Sequence, residues 1–157
     1  MFRIRSAWSN FSKSVWFNLG LFSFLLNFVW ELAQIPFFLD MAEKSHLIGV
    51  LICALATVGD VLISYTGYGL GVLWAKDAQW ILSKNRSATV VYLSCGIVLT
   101  ILFEYVATGP LQLWEYSPIM PVVPVLGTGL TPLLQWLTLP MPILWLARRQ
   151  IRGAHCE

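Results

Sequence analysis

Four long apolar runs, separated by short polar connections, account for most of the chain. They cover 15–39, 47–74, 87–108 and 124–147. A helix needs roughly 20 residues to cross a hydrocarbon core about 30 Å thick, and each run meets that length. The pattern predicts one all-α domain over 1–157, an integral membrane bundle of four transmembrane helices. The fourth run differs from the others, because Pro121, Pro124, Gly127, Gly129, Pro132, Pro140 and Pro142 all oppose a regular helix. A loop or partly re-entrant segment over 121–129, followed by a kinked helix, is the expected outcome. Irregular backbone at membrane depth must be satisfied by protein or water, so this segment should pack inside the bundle or line a cavity.

Within each run the polar and small residues recur with helical spacing. At about 100° per residue, Gly20, Ser23, Asn27, Glu31 and Gln34 share one narrow face of the first helix. Gly49, Cys53, Ala56, Asp60, Ser64, Gly67 and Gly71 do so in the second, and Gly96, Thr100, Glu104 and Ala107 in the third. Thr128, Thr131, Gln135 and Thr138 would share one in the fourth if it is helical there. Small residues at this spacing let helices approach closely, and hydroxyls and amides then bond across the contact. Gly67-Tyr68-Gly69-Leu70-Gly71 is read the same way, as helix packing rather than a phosphate-binding loop.

Composition agrees with the bilayer as solvent: 57% of residues are hydrophobic and 11% charged, against about 25% charged in a soluble domain. Charge sets orientation. Nine of the ten basic residues fall in the N-terminal tail, the second connection and the C-terminus (Arg3, Arg5, Lys13, Lys76, Lys84, Arg86, Arg148, Arg149, Arg152), leaving Lys44 on the other side. An even number of spans gives that split, and the positive-inside rule then predicts a plasma (inner) membrane protein with both termini cytoplasmic. Trp16, Trp74, Trp80 and Trp145 would form one aromatic belt, with Trp114 and Tyr116 at the outer face. The first run is about twice as long as a signal-peptide core and carries no cleavage pattern, so it is expected to stay as a helix. A net charge of +2 gives no reason to expect nucleic acid. Cys53, Cys95 and Cys156 form no disulfide or metal pattern, and with only His46 and His155 no metal site or cofactor motif is expected.

Glu31, Asp60 and Glu104 are the informative residues. Each lies on a polar stripe inside an apolar run, where an ionised side chain costs about 2.5–3.5 kcal/mol or more. No Lys, Arg or His lies inside a span to pair with them. They must hold protons, hydrogen-bond to Asn27, Gln34 and Gln135, or face water. At 1.5 Å per residue all three fall in the outer half or the middle of the membrane. Glu115, between Trp114 and Tyr116, would cap the same region. These positions predict one polar pocket in the outer half of the bilayer. Glu31, Asp60 and Glu104 are its candidate catalytic acids, and Asn27, Trp30, Gln34, Trp114, Glu115, Tyr116 and Gln135 its candidate ligand-binding residues. A purely structural role, with protonated acids bonding helix to helix, uses the same residues.

The segment 103–144 carries a further pattern: Glu104, then Trp114-Glu115-Tyr116-Ser117-Pro118, then Gly127-Thr128-Gly129-Leu130-Thr131-Pro132-Leu133-Leu134-Gln135. It resembles the lycopene cyclase domain of microbial carotenoid synthesis. In that family an acidic helix end precedes a Trp-x-aromatic loop and a span bearing Gly and Pro. The resemblance implies acid chemistry on a polyene, with Glu104 as the acidic helix end and Trp114 and Tyr116 as the aromatic loop. Where that family has a proline closely followed by paired glutamates, this chain has Pro132-Leu133-Leu134-Gln135, and a glutamine cannot act as the acid. The Trp30-Glu31 and Thr57-Val58-Gly59-Asp60 patches resemble small bacterial multi-span membrane proteins instead.

Three function classes remain open on these residues. One is a site for a hydrophobic, isoprenoid-like or carotenoid ligand among membrane lipids. Another is a non-catalytic accessory subunit or assembly factor of a larger membrane complex. A proton-linked carrier is the third, and four spans would then require a homo-oligomer.

Overall fold

A computed structural model describes residues 11–39, 41 and 44–154. Arg3 and Arg5 of the basic tail, Asp40 of the first connection, and His155 and Cys156 lie outside the described residues. Helix α1, Val15–Gln34, starts where the Ser14 hydroxyl accepts from the Phe17 amide at 3.3 Å. It stops short of the expected residue 39. Pro36 disfavours further α-helix at Ile35, and Ile35–Phe37 tighten into a 3-10 turn. Helix α2, His46–Ala75, ends at Lys76, whose φ of 51° lies in the left-handed region. A single turn, α3 (Trp80–Ser83), leads to α4 (Arg86–Thr108), whose first turn is capped by Asn85 accepting from the Ala88 amide.

The fourth span is broken, as the prolines predict. Helix α5 runs Leu130–Thr138 and α6 runs Pro140–Ala154, joined through Leu139. Pro140 and Pro142 offer no N–H, and their rings crowd the carbonyls of Trp136 and Thr138, so the axis bends there. The ladder resumes directly, with Leu139 N bonded to Gln135 O and Ile143 N to Leu139 O. The span begins and ends later than the expected 124–147. Residues 121–129 are not helical, and the helix continues past Arg148 because its arginines find acceptors. Arg148 Nε donates to the Ile81 carbonyl at 2.6 Å and Arg152 to the Leu82 carbonyl at 2.9 Å, satisfying oxygens that the short α3 leaves open.

Among the described residues, four helices are long and apolar enough to cross a membrane: Val15–Phe37, His46–Ala75, Arg86–Thr108 and Leu130–Ala154. The fold is a helical bundle of a multi-pass membrane protein. Among the described residues there is no β-strand, only two isolated bridges, Phe38 with Tyr116 and Val122 with Gly129. Helix α1 packs against α2 and α6, and α4 against α2 and α5, so the spans surround a common core in chain order. Val29, Leu55, Leu73 and Val98 point outward, as a lipid-facing surface requires.

One half of the core is closed by aromatic residues against glycines. This is the half that ends at Lys76, Lys84, Arg86 and Arg152, here called the basic end. Trp80 stacks on Tyr68 with ring centroids 4.9 Å apart and donates its indole N–H to the Tyr68 carbonyl. The sequence assigned Trp80 to an interfacial belt. It is instead wholly buried, while Trp16, Trp74 and Trp145 are exposed. Gly71 makes room for it: a Cβ there would lie 2.9 Å from Trp80 Nε1. Gly67 does the same for Tyr92, with 3.1 Å from a Cβ to the Tyr92 carbonyl. A side chain on Gly96 would overlap the indole of Trp136. The expected stripe of the fourth span holds at Gln135 only in part, since Thr128 precedes the helix and Thr138 is exposed.

Gly96→Ala should therefore lower the thermal midpoint in detergent, with a loss of about 1–3 kcal/mol from overpacking. Gly59→Ala meets nothing within 4 Å and should leave the midpoint unchanged or raise it. Parallel melting curves of the two variants decide this, and equal midpoints would show that Gly96 is not a packing constraint.

Candidate functional site

The polar stripes meet in one continuous chain of hydrogen bonds. Gln135 of α5 donates from its amide nitrogen both to Asp60 Oδ2 of α2 and to Asn27 Oδ1 of α1, each at 2.8 Å. Asn27 Nδ2 donates to the Ser23 hydroxyl at 3.1 Å and to the Ser23 carbonyl at 2.8 Å. The Ser23 hydroxyl donates to Ser64 at 3.0 Å, and Ser64 shares a proton with the Tyr92 hydroxyl of α4 at 2.9 Å. All four spans contribute to this chain, and Asn27, Ser23, Ser64, Tyr92 and Gln135 are buried within it. The packing is legible at residue level. Helical spacing keeps Ser23 and Asn27 on one face of α1 and Asp60 and Ser64 on one face of α2.

Away from the basic end, a cleft of about 500 Å³ lies among α1, α2, α4 and α5. That volume falls in the range of small-molecule sites, about 300–1,000 Å³. Its walls are mainly apolar, from Ile52, Leu55, Ile63, Phe103 and Leu113 among others. Leu55 and Phe103 are exposed on the lipid-facing surface, so the cleft opens sideways through the wall of the bundle. Its polar lining comes from Glu31, Gln34, Asp60, Thr100, Glu104 and Gln135, and among the described residues no Lys, Arg or His lines it.

Glu31, Asp60 and Glu104 thus share one cleft. Glu31 accepts from Gln34 at 2.8 Å and lies within the electrostatic field of both other acids. Asp60 opens to the cleft and is held by Gln135. Glu104 is 7% exposed and accepts from the Tyr116 hydroxyl. Among the described residues no group of three His, Cys, Asp or Glu side chains comes close enough to hold a metal ion.

The connection 109–129 borders the cleft through Leu113 and Trp114 and forms a tethered cover at that edge. Residues 121–129, expected to pack inside the bundle or line a cavity, stay outside the lining, with Val122, Val125 and Leu126 exposed. Ser117 N bonds to Phe37 O, Leu39 N to Glu115 O, and the Ser117 hydroxyl to Pro36 O, so the connection is fastened to the end of α1. Tyr116 is the joint. Its hydroxyl donates to Glu104 and accepts from the Gly129 amide at 2.9 Å, linking α4, the connection and the start of α5. A Cβ on Gly129 would lie 3.0 Å from the Tyr116 ring, so glycine lets that amide approach. Burial, and then the bond to Glu104 and its charge, raise the Tyr116 pKa well above the ordinary 10.0.

The remaining sequence-predicted residues divide. Trp114 lines the cleft. Tyr116, expected to stack on a ligand, holds Glu104 from behind and is not part of the lining. Asn27 reaches the acids only through Gln135. Trp30 is half-buried outside the lining. Glu115, expected to cap the pocket, has an exposed side chain, because the antiparallel bridge at Tyr116 turns its neighbour outward. The reading from sequence missed Tyr92, Thr100 and Trp136 as parts of the site. Tyr92 was signalled, being one turn before Gly96 on the same face of α4. Thr100 lay on that stripe as a packing residue. Trp136 follows Gln135 and carried no separate signal. Compared with family models, curated proteins and solved structures, the chain matches none.

Gln135→Leu removes the donor that joins α5 to α1 and α2, and should destabilise the bundle by about 1–2 kcal/mol. Thr66→Val, which removes an exposed bond within α2, should cost less. Unfolding in mixed micelles measures both, and a harmless Gln135→Leu would mean the polar chain carries no stability. The Tyr116 shift has a definite sign. Unfolded tyrosine loses its proton near pH 10 while the folded phenol keeps it, so its contribution is complete below pH 10 and declines above. Tyr116→Phe should flatten the alkaline fall in the thermal midpoint between pH 9 and 11.

Proposed function

We propose that the chain binds a hydrophobic, isoprenoid-like ligand in this lateral cleft and exposes it to acid chemistry by Glu31, Asp60 and Glu104. The observation that carries the reading is the convergence of three carboxylates, one from each of three spans, on one mainly apolar cleft with no cationic lining residue among the described residues. In such a setting a carboxyl group holding its proton can donate it to an electron-rich double bond, and a neighbouring carboxylate can take one back. A lateral opening suits a ligand that arrives dissolved in the bilayer. The resemblance of 103–144 to the lycopene cyclase domain supports the isoprenoid class, since Glu104 and Trp114 both line the cleft and Tyr116 bonds to Glu104. Taken with the positive-inside rule, the reading puts the termini in the cytoplasm and the cleft in the outer half of the plasma membrane.

Extraction of the purified protein followed by lipid mass spectrometry tests the proposal. An apolar compound should be enriched over bulk lipid in near-stoichiometric amount. It should be lost from Gly59→Phe, which fills the cleft from a position where a Cβ meets nothing within 4 Å. Absence of any enriched compound, together with a stoichiometric protein partner in mild detergent, would replace this reading with that of an accessory subunit.

A further inference from the structure

Among the described residues, four side chains lining the cleft present buried polar atoms that no protein group fully satisfies. They are the hydroxyl of Thr100, the indole N–H groups of Trp114 and Trp136, and the carbonyl oxygen of Gln34. Thr100 and Gln34 are each 6% exposed and Trp136 is 3% exposed, so ordinary solvent contact does not account for them. The two indoles are directed at the carboxyls of Glu104 and Asp60, but neither contact reaches full hydrogen-bond geometry. Gln34 spends its amide nitrogen on Glu31, which leaves its oxygen bare. Buried polar groups are nearly always paired, and an unpaired one costs about 1–3 kcal/mol.

The four groups are of two kinds. The indoles can only donate, the Gln34 oxygen can only accept, and the Thr100 hydroxyl does either. A plain hydrocarbon answers none of them. An ether or ketone oxygen accepts from the donors and leaves Gln34 unanswered. A hydroxyl accepts and donates through one small atom, and so answers both kinds at little cost in volume. The rest of the cleft, with Ile52, Leu55, Ile63 and Phe103, suits an apolar chain.

We infer that the cleft is selective for an isoprenoid-type amphiphile carrying a hydroxyl, with the oxygen seated among Thr100, Trp114, Trp136 and Gln34. This rests on the binding function proposed above and adds the head group to it. Sites built to hydrogen-bond a hydroxyl discriminate strongly against analogues that lack it, because their own polar groups are then left unpaired.

The test compares three radiolabelled probes on the full chain in lipid nanodiscs, with protein-free nanodiscs correcting for partition. The probes are geranylgeraniol, its methyl ether, and the hydrocarbon of the same skeleton. Geranylgeraniol should bind at least roughly tenfold more tightly than either of the others, the equivalent of one retained hydrogen bond. Thr100→Val, close in shape and unable to bond, should reduce that preference, and Trp114→Phe should do so independently should the first variant fold poorly. Equal binding of all three probes would overturn the head-group inference while leaving the apolar site in place. Equal binding of alcohol and ether would overturn the assignment of a hydroxyl. Binding of none would remove the proposed function and this inference together. A preference that survives in both variants would mean the oxygen is held elsewhere.

Discussion

The bundle depends on one amide. Gln135 has two N–H donors, and it gives one to Asn27 and the other to Asp60, so a single side chain closes the fourth span onto the first two. Hydrocarbon offers no water to satisfy a polar group left open, which is why the partners of a buried amide are fixed rather than interchangeable. Once Gln135 is fixed, the Trp136 indole is directed against Gly96 of α4, and the fourth span touches the third as well. The bend at Leu139 then lets the second half of that span turn towards α1 and α3, where Arg148 and Arg152 find carbonyls to bond.

The composition of the polar chain also limits what it can transmit. From Tyr92 through Ser64 to Ser23 the links are hydroxyls, which pass protons readily. From Ser23 through Asn27 to Gln135 and Asp60 they are amide N–H donors. An amide donates a hydrogen bond without releasing its proton, short of an unfavourable tautomer. The chain is therefore a mechanical tie between spans and a poor route for protons, which weakens the carrier reading. The three acids Glu31, Asp60 and Glu104 reach open space only in the cleft.

Much of this was legible in the sequence because lipid punishes misplaced polar residues more visibly than water does. The stripes on the first three spans were readable from spacing alone, and Ser23, Asn27, Ser64, Gly67 and Glu104 are all buried as their positions on those stripes require. The proline-bearing span was readable as a break. Legibility failed where a residue has two uses for the same chemistry. Trp80 sits where a belt tryptophan would sit, and only the space over Gly71 draws it inward. Glu115 and Tyr116 are adjacent, polar and aromatic-flanked, and a local bridge decides which faces the bundle. No periodicity encodes that choice, because the connection 109–129 has none. Its conformation follows from tertiary hydrogen bonds to Phe37, Leu39 and Glu104.

The two halves of the molecule are opposed in their packing, and that opposition creates the cleft. Near the basic end, glycines admit large rings: Gly67 faces Tyr92, Gly71 faces Trp80, and the rings fill what the glycines leave. Towards the other end the inward positions on α2 and α4 change to Ala56, Gly59, Asp60, Thr100 and Glu104. These are too small or too polar to fill the same space. Two helices held together at one end and lacking filling side chains at the other must either collapse or keep a gap. Collapse would press carboxyl groups into each other and into apolar walls, the least favourable arrangement for acids without cationic partners. Tyr116 works in the same direction, because it ties Glu104 to Gly129 and fixes the cover to the helix end. The gap follows from the placement of the acids.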